Sequence, residues 1–378
     1  MFKLETYDGR PLSAEYAEQR MRNEPLVEVT QVKGTSETHP ELSPNDEWAD
    51  FEIYDRLLGS YLVSETSGGY VREAYGRGLD LMENEGFNPF KFGLVAASDS
   101  HVVGGAYAED DYWSKVGIVD GRPFNRGSVP IHPDVDPTNA LTLKAGTSWD
   151  DQPDINSVRN ASEWFSRWSA SGLTGVWAEE NTRDAIFNAF RRKETFATTG
   201  PRMKVRFFAS LDFETLSVDA PDLVEQAYAN GISMGGDLAG DGRTPRFLVW
   251  AQRDANAAAL QRAQVVKVTS SGETVFDVAC HEGEPDPVTH RCPDNGASVD
   301  LQTCDTIGEG AAELKTLWSD PDFSADQNAA YYVRVLENPT CRWTTWEALA
   351  AGTPARPDRS KTLQERAYTS PIWYAGNQ

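Results

Sequence analysis

Phe92-Gly93-Leu94-Val95-Ala96, running straight into Ala97-Ser98-Asp99-Ser100-His101, reads as a buried strand that ends in a polar turn. An Asp and a His two residues apart at the C-terminal edge of such a strand can both face a site above it. There they suit a divalent metal, Asp supplying a hard oxygen and His a borderline nitrogen. An Asp99 that caps the next turn beside a surface His101 has the same spacing, because Asp commonly accepts backbone N–H groups at element ends. A second stretch with this layout lies upstream. Leu26-Val27-Glu28-Val29-Thr30-Gln31 alternates like a strand and leads into Lys33-Gly34-Thr35-Ser36-Glu37-Thr38-His39-Pro40. Glu37 and His39 again stand two apart after a Gly turn, where the alternative is a solvated polar loop. The chain has five histidines, and two of them in matching contexts point to an open α/β or barrel architecture, whose sites gather at strand C-termini.

Size and charge frame that reading. The 378 residues are enough for two domains of about 150 each. Hydrophobic residues at 39% and aromatics at 11% suffice for packed cores. Lys plus Arg number 35 against 58 Asp plus Glu, a net charge of −23. That balance argues against nucleic acid and anionic membranes, which need clustered basic charge, and is compatible with divalent cations. No window approaches the roughly 20 consecutive apolar residues of a membrane span, and Met1-Phe2-Lys3-Leu4-Glu5-Thr6 lacks the apolar core of a secretory signal. A helix-like Tyr16–Asn23 leads directly into a buried strand, so the chain reads as opening in the middle of an architecture.

Cys280, Cys292, Cys304 and Cys341 all lie in the last hundred residues. They read as one or two disulfides and an oxidising compartment. Zinc ligation is the weaker alternative, since the spacings are long for a metal site even with His281 and His290 nearby; buried free thiols are the third.

Along the chain, Pro44-Asn45-Asp46-Glu47 resembles a helix start, and Tyr70–Glu85 carries the period of an amphipathic helix closed by Gly86. Strand, helix, strand is the pattern of a parallel sheet or barrel. From about 102 to 172 the text is irregular and reads as a lid-like insertion, with His132 as a loop residue. Leu173–Ala178 is a strand, Asn181 a helix cap, and Thr195–Thr199 a short strand stopped by Gly200-Pro201. Beyond it, runs such as Met203–Ala209, Arg246–Trp250, Gln264–Thr269 and Tyr331–Leu336 have the signature of a sandwich. No phosphate loop, nucleophile elbow or dinucleotide fingerprint occurs.

Taken together, Lys33–Pro40, Ser98–His101, Val176-Trp177-Ala178-Glu179-Glu180-Asn181-Thr182 and Ala197-Thr198-Thr199-Gly200-Pro201-Arg202 resemble a large, mostly bacterial family, domain of unknown function 3604. That family is a poorly characterised branch of the PHP (polymerase and histidinol phosphatase) superfamily, and the resemblance covers nearly the whole chain. It implies an α/β plus β fold. Residues 1–202 would be the C-terminal portion of a PHP-type (β/α)7 barrel, and 203–378 a β-sandwich-like domain. Family members open with a His-x-His on the first strand, and this chain, lacking that region, reads as a C-terminal part that starts near the sixth strand.

The resemblance further implies a metal-dependent hydrolase of phosphoester-type or related bonds, using a metal-activated water. Asp99 and His101 match the superfamily's metal-ligating Asp-x-His, and Glu37 and His39 match a branch-specific block at the pocket with a catalytic part. Lys33 and Arg202 are the basic residues placed to meet a small anionic substrate, although Arg202 equally suits a brace at the domain junction. Zn, Mn or Fe all fit mixed His and carboxylate ligands. The compartment expected is periplasmic or secreted. A different class of function is a non-catalytic extracellular binding module, with Trp343, Trp346, Trp373 and Tyr374 stacking on a polymer or filling a core. An inactive fragment is the third possibility.

Overall fold

Two strands with every residue buried form the spine of the molecule: β10 (Leu260–Thr269) and β15 (Ala329–Glu337). Such strands must be covered on both faces, and the computed structural model shows what covers them. It describes residues 1–57, 60, 62–103, 108–113, 115–117, 119–130, 149, 164–169 and 171–377. His132 and most of the expected lid lie outside the described residues.

The N-terminal part supplies the helix α1 (Ala14–Asn23) and the strands β1 (Leu26–Gln31), β2 (Gly34–Thr35) and β3 (Gly93–Ala96), which form a small sheet in the order β2-β1-β3. Between β1 and β3 runs α2 (Val71–Glu85), closed by Gly86 in the left-handed conformation. β1 and β3 are parallel. The tight turn from β1 into β2 requires Gly34, whose φ is +91° and where a Cβ would stand 1.9 Å from the Glu52 carbonyl oxygen.

The main sheet has eight strands. Its path is β11 (Gly272–Cys280), β10, β15, β18 (Arg366–Thr369), β5 (Thr195–Thr198) and β4 (Leu173–Val176), with β19 (Ile372–Ala375) paired to β15 and β8 (Asp237–Ala239) paired to β19. A four-stranded sheet runs β14 (Glu313–Ser319), β9 (Arg246–Gln252), β6 (Lys204–Ser210), β7 (Ile232–Ser233). Two short ribbons complete the strands, β12 (Ser298–Val299) with β13 (Thr306–Ile307) and β16 (Thr340–Cys341) with β17 (Thr362–Leu363).

Alternation along β15 separates the layers. Tyr331, Val333 and Val335 point toward the four-stranded sheet and share one core with Val205, Phe207, Phe247, Val249 and Leu314. Ala330 and Tyr332 point the other way, onto Val71, Ala74, Tyr75 and Leu79 of α2. These four recur at i, i+3, i+4 and i+8, one face of a helix. Each large side chain so buried contributes about 1.5–3 kcal/mol.

The expected partial (β/α)7 barrel is therefore corrected: among the described residues the sheets are separate, open and largely antiparallel. Among the described residues, only β1 with β3 and β8 with β19 pair in parallel. The physical reason lies in β4 and β5. They read as strand, helix, strand, with the helix Arg183–Arg191 between them, yet they pair antiparallel, Leu173 opposite Thr198 and Val176 opposite Thr195. A helical connection permits a parallel return but does not compel one. β5 then pairs with β18, so the main sheet runs across position 202. Pro44–Glu47 begins turns rather than a helix, and Thr182, not Asn181, caps the helix after β4.

Gly175 faces Phe196 across the β4–β5 ladder, and a Cβ there would fall 2.0 Å from the ring. Gly175→Ala is expected to cost about 1–3 kcal/mol, as overpacked cores do. Urea unfolding checks this, and an unchanged midpoint would show that the ring has room to move.

Candidate functional site

Because β1 and β3 run parallel, they end at the same edge, where the amide of Ala97 reaches the Thr30 carbonyl at 3.4 Å. Just beyond, Asp99 has φ +50°, a left-handed conformation that Asp tolerates better than most side chains. Its carboxylate pairs with the Lys115 ammonium, and its Oδ1 stands 3.7 Å from His101 Nε2. The His101 amide donates to the Lys115 carbonyl at 2.7 Å. Lys115 is buried, whereas 59% of the His101 side chain is open to solvent. Lys33, two residues past β1, donates from its ammonium to Ser36 Oγ. Burial pushes Lys33 down to about 8, Glu28 and Asp99 pull it back, and Lys115 adds to the fall. Lys33, Asp99, His101 and Lys115 thus form one electrostatic neighbourhood. Lys115 is a residue that sequence reasoning missed, since it lies in irregular text. Asp120 fixes it by accepting from the amides of Lys115, Val116 and Gly117 at 2.7, 3.0 and 2.8 Å.

Glu37 lies elsewhere, in the layer between α2 and β15. Its carboxylate takes Arg72 Nη2 at 2.5 Å, the Tyr332 hydroxyl at 2.7 Å and Arg334 Nη1 at 3.3 Å. Asp46 completes the cluster, held by Arg334 at 2.8 and 2.7 Å and by Arg72 at 2.9 Å. Burial alone would raise the Glu37 carboxyl, but the guanidiniums of Arg334 and Arg72 outweigh it and hold it below the ordinary range. Asp46 is driven down in the same way, and further. Such a Glu37 is a structural anion with its acceptors occupied. His39 Nδ1 accepts from the Glu41 amide at 3.1 Å, and its ring packs beside Tyr70. The structure therefore brings Asp99 and His101 together with Lys33 in electrostatic reach, and places Glu37 in a separate buried network. One signal for that network was available: a lone Arg334 inside the apolar run Tyr331–Leu336.

A metal needs more than these donors. Among the described residues no three His, Cys, Asp or Glu side chains gather as ligands, and Asp99 with His101 makes two, one of them already paired with an ammonium. The described donor set does not fit the divalent-metal site that the resemblance implies. The cysteines are joined as Cys280–Cys292 and Cys304–Cys341, so none is a thiolate ligand.

A cavity of about 660 Å³ opens elsewhere on the surface, lined by Arg202, Leu173, Asp254, Trp346 and three buried glutamates, Glu109, Glu337 and Glu365. Arg202 is exposed at its wall, and its amide donates to the Asp254 carboxylate at 2.8 Å. Of the aromatics considered for polymer stacking, Trp343, Trp373 and Tyr374 are buried and Trp346 is half-buried in this wall. No helix among the described residues is long and apolar enough to cross a membrane.

Fold and site together define a disulfide-bonded, sheet-rich protein with an α/β edge that carries two lysines, an aspartate and a histidine. The chain belongs to the family described as protein of unknown function (DUF3604), whose model matches residues 1–376. No curated protein and no solved structure was found to match it.

Proposed function

We propose that the protein is a hydrolase of small anionic, phosphoester-type substrates, related to the PHP-type hydrolases, with its reacting groups at the shared end of β1 and β3. The observation that carries this reading is the convergence of Lys33 and Lys115 with Asp99 and His101 in a chain whose net charge is −23. Against that background, a buried and a half-buried ammonium group at one edge are a local means of holding an anion. Each ammonium has three donors, so Lys115 can keep Asp99 and still meet a substrate oxygen. The accessible His101 imidazole is placed to exchange a proton with water or with a leaving group, and the Asp99 carboxylate stands 3.7 Å from it. Zn, Mn or Fe enters only as an added arm of the test, and no step is routed through a metal. The two disulfides support a periplasmic or secreted setting.

The test is turnover of p-nitrophenyl phosphate and bis-p-nitrophenyl phosphate, with and without added Zn, Mn or Fe. Asp99→Asn combined with His101→Ala is expected to lower the rate by roughly 10²-fold or more. A wild-type protein without turnover under every condition, or a folded double variant as fast as wild type, overturns the reading.

A further inference from the structure

The 660 Å³ cavity is a separate place, since Lys33, Asp99 and His101 are not among its lining residues. Its chemistry starts from a phase on β15. Val333 and Val335 face the interior of the two-sheet core, and the same every-second-residue row brings Glu337 inward at the end of the strand. Glu337 is fully buried, and neither of its carboxyl oxygens has a hydrogen-bond partner. The Ala258 amide faces it without reaching hydrogen-bond geometry. The neighbouring base, Arg253, is committed to the backbone carbonyls of Asp254, Ala255 and Ala257 at 3.1–3.3 Å.

Buried carboxyls without partners are rare in native proteins because desolvation goes uncompensated. Here the cost is multiplied. The amide of Glu337 donates to the Glu365 carbonyl at 2.9 Å, which sets the two glutamates opposite each other, one pair beyond Leu336 and Arg366. Like charges so placed repel. Glu365 is buried too, with the Thr199 hydroxyl on its carboxylate, and Glu109 accepts from the Trp343 amide at 2.5 Å. Seven of the lining residues are Asp or Glu and one is basic, the exposed Arg202.

We propose that this cavity binds a small organic cation, a primary amine or guanidine, whose N–H donors satisfy Glu337 and neutralise the facing glutamates. Three observations favour that class. A bare metal ion needs three close ligands, and no such group exists among the described residues. An N–H-bearing chain can offer donors to several of the lining carboxyls at once, and Trp346, an aromatic among the lining residues, suits an organic cation. The volume lies within the usual range of small-molecule sites. Burial, with Asp254 adding to it, pushes the Glu337 carboxyl up to about 8, a sign of how much this position lacks a counter-charge.

Isothermal titration of the whole protein with 1,4-diaminobutane, agmatine and spermidine tests the proposal, with calcium chloride and inorganic phosphate as controls. At least one amine is expected to bind with a submillimolar dissociation constant. Glu337→Gln is expected to weaken it by about tenfold or more, the loss of one charge-assisted hydrogen bond. Asp99→Asn is expected to leave binding unchanged, which separates this site from the hydrolase proposal. Trp346→Leu supplies a second reading, again as weakened binding, should Glu337→Gln fold poorly by circular dichroism. No amine binding to wild type, equal binding to folded Glu337→Gln, or preference for calcium or phosphate overturns the proposal.

Discussion

Replacing Arg334 by methionine is expected to destabilise the protein by about 3–5 kcal/mol, the cost of leaving buried carboxylates without their partner. Arg334 has no solvent exposure and spends its guanidinium on Asp46 at 2.7 and 2.8 Å, Glu37 at 3.3 Å and Gln264 at 2.7 Å. Without it, Glu37 and Asp46 share Arg72 alone as a fully buried cation. Methionine fills much of the volume, so the loss reports charge rather than a cavity. Urea unfolding at neutral pH measures it, and a change below about 1 kcal/mol would show that water or rearrangement screens the pair. The sign of the pH dependence follows from the same contacts. Both carboxyls lie below their ordinary values of 4.5 and 3.8. Their stabilisation is present above those values and is lost as pH falls through the folded-state ones, because the unfolded chain then binds more protons.

Glu337 works in the opposite direction. Its carboxyl is raised from 4.5 to about 8, so across that window the folded protein holds a proton that the unfolded chain has shed. Its contribution is complete below 4.5 and declines as pH rises toward 8. Glu337→Gln removes the titration, and the variant is expected to gain about 2–4 kcal/mol on wild type between pH 5 and pH 8. Glu365 is also raised and stays in both proteins, so some decline remains in each. Unfolding curves at pH 5, 6.5 and 8 decide the matter: a constant difference between the two proteins would mean that Glu337 is ionised in the folded state or solvated there.

The β1-α2-β3 unit was legible because its information is local. The apolar positions of Tyr70–Glu85 repeat at helical spacing, Gly86 ends them, and the flanking runs are strand-like. Direction and partnership were not legible where they depend on distant chain. Nothing near Leu173 or Thr195 says that the strands there are antiparallel, or that Tyr368 will lie opposite Ala197. Asp99 and His101 were readable as neighbours because both follow directly on the end of a strand. Lys115 was not, since its place is set by Asp120 rather than by periodicity. Glu37 was read at the pocket from its neighbours in sequence, whereas Arg72, Tyr332 and Arg334, brought from 35, 295 and 297 residues away, hold it in a buried network. Glu337 carried a usable signal, since the alternation of β15 continues one step past Leu336 and turns it inward.

The pairing of β5 with β18 has a consequence for biogenesis. During synthesis, β5 must wait for residues 366–369 before one of its rims is satisfied. Until then the nascent chain offers an open hydrogen-bonding rim beside apolar surface, a template for mispairing. Contacts of such long sequence separation slow folding and lengthen the time that rim stays open.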